Sequence, residues 1–247
     1  MRSRWFLVLT SVVSLVVIAV LAYLLLPSLQ FLREEHVGGE YDCRIGITGE
    51  DPRGFEVGKV FYVKDGVKHD GYYGGYLRDA LDWIKTNTPE NSVFLNWWDY
   101  GHMIIGYGER DSIVKNPSEE ALVSVADPTE FEELDTHEKI VSVAKALTTT
   151  NASETLATME MYGATYLLVT GEDGKGKPHW IFHFAGLDFY TDYWNTSWQG
   201  SDLAFDPNQY NESGKETVIC RLLAEAEIPG LTQVYIDENV KIYKRSE

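Results

Sequence analysis

Cysteine and positive charge are what this sequence has least of. Its two cysteines, Cys43 and Cys220, allow at most one disulfide and match no zinc-ligand spacing, which excludes a disulfide-dense scaffold or a zinc finger. They lie near opposite ends of the part that follows the first apolar run, so a bridge between them stays open if that part is exported and its ends meet. Only 21 Lys and Arg stand against 38 Asp and Glu, and a formal charge of −17 argues against nucleic acid or an anionic lipid surface as the main partner. Wholesale disorder is excluded from the other side, because aromatics reach 13% while charged residues stay at 24%, a globular balance.

One stretch does lack charge altogether. Trp5 to Leu26 contain no ionisable Asp, Glu, Lys or Arg and are rich in Leu and Val. At ~1.5 Å per residue they reach roughly 33 Å, enough to cross a bilayer. Arg2 and Arg4 precede the run and an acidic region follows it, so the positive-inside rule places the N-terminus in the cytoplasm and the remainder outside. A cleaved signal peptide is the competing reading, but the run is long for one and no small-residue cleavage site follows.

The remaining residues fill one large domain or two small ones. Residues 28–40 read as a linker leaving the membrane. Lys59–Val63 and Gly66–Asp70 flank Lys64-Asp65 as a hairpin. Leu77, Ala80, Leu81 and Ile84 recur at helical spacing ahead of Pro89. Further helices are predicted around Ile140–Leu147, after the cap residue Asn151, and over Thr217–Ala226. Strands are predicted at Ser92–Asn96 and Thr165–Thr170, with a closing hairpin at Gln233–Ile236 and Val240–Tyr243. The acidic run Glu130, Glu132, Glu133, Asp135 reads as a solvated face. The expected fold class is mixed α+β: one N-terminal transmembrane helix over residues 1–29, then an extracytoplasmic domain over 30–247 of alternating helices and strands with a small β-rich insert.

The chemistry concentrates at Asn96-Trp97-Trp98-Asp99-Tyr100-Gly101-His102, between the apolar runs Val93–Leu95 and Met103–Ile105. An indole N–H donates only and an ionised carboxylate accepts only, so Trp97, Trp98 and Asp99 together suit a hydroxyl, which can do both. A site built to bond a hydroxyl rejects analogues that lack one, because its own polar groups are then left unpaired. The plain packing alternative makes Trp97, Trp98 and Tyr100 core aromatics at a strand-to-helix turn, with Gly101 supplying an unusual backbone angle.

Residues 97–101, Trp-Trp-Asp-Tyr-Gly, resemble the signature of the catalytic subunit of N-oligosaccharyltransferases, most closely its archaeal branch, and the preceding helix and Thr88-Pro89-Glu90 turn resemble the family's lead-in. The resemblance covers roughly residues 30–247 and leaves out the family's polytopic membrane domain. It implies a soluble domain that recognises the sequon Asn-X-Ser/Thr, with Trp97, Trp98 and Asp99 holding the Ser or Thr hydroxyl and Tyr100 and Gly101 supporting the motif.

The resemblance also implies a second motif: an aspartate, a lysine, and apolar residues against the threonine methyl. Asp173, Lys177 and Ile181 fall there, with Phe184 next in the spacing. The match is imperfect: Asp173 comes one place early and Pro178 opposes a regular helix, so a plain solvated loop is the alternative for Asp173 and Lys177. His179 and His183, four apart, read as a satisfied pair rather than a metal site. The aromatic tail Tyr190, Tyr193, Trp194, Trp198 and Tyr210 reads as packing under a long loop, with a carbohydrate or peptide surface as the alternative. Asn151-Ala152-Ser153, Asn195-Thr196-Ser197 and Asn211-Glu212-Ser213 are themselves sequons.

Glycan transfer to an amide nitrogen needs carboxylates at the amide and a divalent cation at the departing lipid phosphate. The resemblance places those in the missing membrane part, so no catalytic residue, metal ligand or cofactor is assigned to this chain, and Mn2+ or Mg2+ is expected only for the complete enzyme. The implied partners are acceptor polypeptides, a lipid-linked oligosaccharide presented by a polytopic part, and the membrane. Against this acceptor-recognition reading stand a non-catalytic, membrane-anchored peptide binder that reuses the pocket and a membrane-anchored carbohydrate-binding protein.

Overall fold

The computed structural model describes residues 31–115, 137–198 and 205–246. The apolar span Trp5–Leu26 and the acidic run Glu130–Asp135 lie outside the described residues. Among the described residues no helix is long and apolar enough to cross a membrane.

Alternating burial sets the first sheet. In β2 (Cys43–Glu50) the side chains of Cys43, Ile45 and Ile47 are buried while Arg44 and Thr48 face water, the period-2 pattern of a strand with one covered face. It pairs antiparallel with β1 (Arg33–Gly38) and β3 (Glu56–Lys64), and β3 pairs with β4 (Val67–Gly74), giving the order β1-β2-β3-β4. The β3–β4 turn is Asp65-Gly66, both with φ in the left-handed region (53° and 76°), as a two-residue hairpin requires. Residues 33–38 were expected as linker and are instead a strand. β1 is an edge strand, and its charged side chains pair across the sheet (Arg33 to Glu56, 2.8 Å), so its sequence carries no hydrophobic alternation to read.

The chain then leaves through α1 (Arg78–Asn87), which buries Ala80, Leu81 and Ile84 and stops two residues before Pro89. The second sheet follows, in the order β6-β5-β7-β9-β8. β5 (Val93–Leu95) runs parallel to β6 (Asp111–Ser112) and to β7 (Tyr166–Thr170). The hairpin of β8 (Leu231–Ile236) and β9 (Val240–Arg245) joins through β9, antiparallel to β7. All five residues of β7 are buried, as a central strand covered on both faces demands.

Helices cover this sheet. After β5 comes α2 (Gly101–Gly106), then α3 (Glu138–Thr148), with Ile140, Val143, Ala144 and Leu147 buried. Next is α4 (Ala152–Met161), capped by Asn151 accepting from the Ser153 N–H at 3.1 Å and closed by Gly163 at φ 67°. Behind β7 come α5 (Gly171–Lys175), α6 (Pro178–Phe184) and α7 (Phe189–Asp192), and later α8 (Glu212–Lys215) and α9 (Val218–Leu223). The result is a mixed α/β domain. Cys43 in β2 and Cys220 in α9 are both free and buried, so the disulfide left open by their spacing is absent. Burial pushes each thiol up to about 12.

The two sheets meet at α2. Its His102 is buried and shares a 3.0 Å hydrogen bond with the Tyr62 hydroxyl of β3, while Gly71 of β4 leaves room for the imidazole: a Cβ there would lie 2.4 Å from it. The turn that precedes α2 therefore sits in the joint between the sheets.

Candidate functional site

β5 and β7 are parallel neighbours, with Phe94 opposite Tyr166 and Leu95 opposite Leu167, so their carboxyl ends open on the same edge. Sheets of this kind leave a crevice beyond the carboxyl ends of their parallel strands. The Trp-Trp-Asp-Tyr-Gly turn leaves β5 on this edge, and the segment holding Asp173 and Lys177 leaves β7.

The turn is a single 3-10 turn, Trp98–Tyr100, entered from Trp97 in extended conformation and continued as α2. Trp97 and Trp98 are buried at 1% and 6% exposure, 5.0 Å apart between ring centroids, and Phe184 of α6 packs on both (5.7 and 5.0 Å). Neither indole N–H donates to another described residue, and neither is among the sealed, partnerless polar atoms. Gly101 has an ordinary helical φ of −57°, so the expectation of an unusual backbone angle is corrected. What glycine supplies is close approach: a Cβ at 101 would stand 2.1 Å from the Val114 carbonyl oxygen and 2.5 Å from the Lys115 Cα.

The second segment is not a solvated loop. Thr170 and Asp173 form a capping box at the start of α5, with the Thr170 N–H donating to the Asp173 carboxylate at 2.8 Å, and Asp173 is fully buried. Pro178 does break the helix, as its missing N–H requires, and begins a new one at the first position of α6. Lys177 lies at that break, where it turns back toward the first motif.

There the two motifs join. The Lys177 ammonium lies 2.6 Å from an Asp99 carboxylate oxygen and donates to the Tyr100 hydroxyl at 3.3 Å. Tyr100, fully buried, donates to Asp173 at 2.7 Å and shares a 2.8 Å bond with the Thr170 hydroxyl. The Asp99 and Lys177 side chains keep 19% and 22% of their surface exposed, so the pair stays partly open to solvent. Burial pushes the Asp173 carboxyl up to about 6 against the Lys177 charge and the Tyr100 and Thr170 hydrogen bonds. Burial likewise drives the Tyr100 phenol well above its ordinary value, with Asp173 adding to it. For Lys177, burial alone would lower the pKa, but Tyr76, Asp99 and Asp173 outweigh it and the net shift is upward.

The structure thus brings Trp97, Trp98, Asp99, Tyr100, Asp173 and Lys177 together. Ile181, expected at a threonine methyl, is fully buried, and Phe184, one turn further on, is the α6 residue that meets the indoles. Sequence reading missed Tyr72 in β4 and Tyr76 in the turn after it, two phenols within the electrostatic reach of Lys177. Among the described residues no group of three or more His, Cys, Asp or Glu is arranged to hold a metal ion. The His179 ring lies 4.7 Å from Trp180 and stacks on Tyr190 at 6.0 Å, and its pKa is lowered by burial and then by His183. The aromatic tail divides: Tyr210 and Phe189 are buried in contact, whereas Tyr190 is 60% exposed.

Sequence comparison gives local likenesses. The chain is 44% identical over 59 residues to the dolichyl-diphosphooligosaccharide–protein glycosyltransferase subunit stt3 of Schizosaccharomyces pombe, a match covering 24% of this chain and 6% of that protein. It is 50% identical over 36 residues to dolichyl-phosphooligosaccharide-protein glycotransferase 2 of Pyrococcus horikoshii, covering 15% and 5%. Over these stretches the chain resembles oligosaccharyltransferase subunits. Its matches span only about a twentieth of the length of these curated relatives. No family model matches. Among solved structures, a C-terminal globular domain of oligosaccharyltransferase from Archaeoglobus fulgidus superposes with a TM-score of 0.48 at 16% identity, covering 68% of this chain and 95% of that one. The apo oligosaccharyltransferase of the same organism gives 0.47 at 18% identity, covering 66% and 24%.

Proposed function

We propose that residues 30–247 form the acceptor-recognition domain of an oligosaccharyltransferase, holding the hydroxyl of the Ser or Thr in Asn-X-Ser/Thr. The observation that carries this reading is the meeting of the two motifs: the Trp97 and Trp98 rings lie 5.0 Å apart with N–H groups that find no partner among the described residues, Phe184 packs on both rings, and Lys177 holds the Asp99 carboxylate of the same turn. A hydroxyl can accept from the indoles and donate to Asp99, so the set is filled by Ser or Thr and left short by Ala or Val. Recognition of this sort positions an acceptor and supplies no charge stabilisation of its own. The transfer step, from a lipid-linked oligosaccharide with Mn2+ or Mg2+, belongs in this reading to a polytopic membrane part. The Trp5–Leu26 run fits a single membrane span with the N-terminus cytoplasmic and the domain outside, in an archaeal type of enzyme.

The test is a titration of the full chain in detergent with Asn-X-Thr, Asn-X-Ser and Asn-X-Ala peptides, followed by NMR. Thr and Ser peptides are expected to bind about tenfold or more tightly than the Ala peptide, the worth of one satisfied polar contact. Asp99→Asn keeps the shape and removes the acceptor-only carboxylate, so it should abolish that preference. Unchanged discrimination in folded Asp99→Asn would remove Asp99 from the reader.

A further inference from the structure

The aromatic tail takes no part in the acceptor pocket, and its rings form two layers. The inner layer is core: Phe182, Phe189 and Tyr210 are buried, with Phe189 5.1 Å from Phe182 and 5.4 Å from Tyr210 between ring centroids. On it rests an outer row. Tyr190 and Trp194 both pack edge-to-face with Phe189 (5.3 and 5.6 Å), Tyr190 meets Trp194 at 6.2 Å, and Trp194 meets Trp198 at 5.4 Å, again edge-to-face. Tyr190 is exposed, and Trp194 and Trp198 are half-buried. An edge-to-face contact engages one face of a pair, so the row keeps aromatic surface for a ligand.

The row is also held still. Asp188 caps α7, accepting from the Thr191 N–H at 3.1 Å and from its hydroxyl at 2.8 Å. Trp194 pairs with Tyr210 in an antiparallel bridge, and the Trp198 indole N–H donates to Asp206 at 3.0 Å. Aromatic rings fixed before a ligand arrives lose little freedom on binding it.

Charge and size decide the ligand class. Between Lys177 and Lys215 the sequence has no Lys or Arg, so this segment brings no cation of its own to a phosphate or carboxylate. Three partly covered aromatic side chains, of ~150–250 Å² each when wholly free, fall short of the ~800 Å² that one side of a stable protein interface covers. A sugar fits better. A pyranose has an apolar C–H face to lay on a ring and hydroxyls around its rim, and Asp188 and Asp206, though engaged in caps, keep lone pairs that accept from hydroxyls. The ring-to-ring steps of 6.2 and 5.4 Å are close to the length of one pyranose unit.

We propose that Tyr190, Trp194 and Trp198 form a binding site for a neutral oligosaccharide, one sugar to a ring. His179 stacks on Tyr190 at 6.0 Å and joins the row to α6, seven residues and so about 10 Å long, whose Phe184 packs on the Trp97 and Trp98 indoles. A sugar chain on the row therefore lies about one short helix from the acceptor pocket. That it is the glycan of the lipid-linked donor, held beside the acceptor, rests on the acceptor-recognition reading; the sugar site itself does not.

The experiment titrates the full chain, in a detergent without a sugar headgroup, with chitotetraose, cellotetraose and mannotetraose, and with tetralysine as the cationic alternative, followed by calorimetry. At least one sugar is expected to bind saturably, and tetralysine is not. Tyr190→Ala and Trp194→Ala should each weaken sugar binding several-fold or more, while Tyr190→Phe keeps it, because the ring carries the contact. Tyr190→Ala is the decisive variant, since removing an exposed ring leaves the buried layer in place. Binding of none of the three sugars, sugar binding indifferent to Tyr190→Ala, or Tyr190-dependent binding of tetralysine instead of sugar overturns the proposal. Asn-X-Thr and Asn-X-Ala peptides are titrated into the same samples. Tyr190-dependent sugar binding without a preference for the Thr peptide leaves the sugar site standing and removes the sequon reading; a Thr preference without sugar binding does the reverse.

Discussion

Asp173 illustrates what one buried residue does here and how little of it shows in its neighbours. Its two oxygens cap α5 through the Thr170 N–H and receive the Tyr100 hydroxyl from 73 positions away. Locally the sequence reads Gly-Glu-Asp-Gly-Lys-Gly-Lys-Pro, the composition of a solvated loop; only the tertiary partner makes it core. The same burial gives a pH signature. With its carboxyl raised to about 6, the folded chain holds a proton between about pH 4 and 6 that the unfolded chain has released. Stability from this group is therefore greatest below about pH 4 and lost as pH rises through about 6, a change of at most ~3 kcal/mol. Denaturant unfolding of wild type and Asp173→Asn between pH 4 and 7 should show this falling component in the wild type alone. Parallel curves would mean that Asp173 does not titrate in that window.

Among the elements, those with a clean period were legible. The apolar spacing of α1 and α3, the Asn151 cap of α4, the continuous run of β7 and the closing hairpin all appear where local pattern puts them. β1 was not legible, because an edge strand with cross-strand ion pairs needs no apolar alternation. The sheet order was also hidden, since β5 and β6 share only two residue pairs. Gly101 shows how a correct residue can be read for the wrong reason: its φ is ordinary, and the constraint is the backbone of Val114 and Lys115 pressed against it. Gly163 is the opposite case, with φ 67° and nothing near its missing Cβ. Gly101→Ala must push two backbone segments apart and should cost ~1–3 kcal/mol, as overpacking does. Gly163→Ala bears only the left-handed penalty, about 1–2 kcal/mol. The distinguishing measurement is peptide binding on the two folded variants: displacement of the tryptophan turn should weaken it for Gly101→Ala and leave it intact for Gly163→Ala. Equal binding by both would show that the turn tolerates the shift.

At the scale of the whole molecule, the site exists because two sheets meet, and Arg53 is a main fastening between them. It lies in the β2–β3 turn of the first sheet, bonded to Asp51 at 2.6 Å, stacked over Phe55 and Tyr76, and paired at 2.7 Å with Glu172 of α5 on the second. Glu172 immediately precedes Asp173, so this one guanidinium links Tyr76, in the turn after β4, to the segment that presents Lys177. Its side chain is 23% exposed and that of Glu172 20%, which places the pair between a surface bridge worth little and a buried one whose breaking costs several kcal/mol. Arg53→Met keeps most of the stem and removes both ion pairs, leaving Asp51 without this cation and Glu172 with the more distant Lys175, 4.0 Å away. The expected loss is about 1–2 kcal/mol of global stability. The informative readout is local, however: native-state hydrogen exchange should show the 51–55 turn and α5 losing protection together, while β7, buried on both faces, keeps its own. If the Thr170–Asp173 cap alone held α5, its amides would stay protected and only the turn would loosen. That outcome would assign the joint between the sheets to α2 and His102 instead of to Arg53.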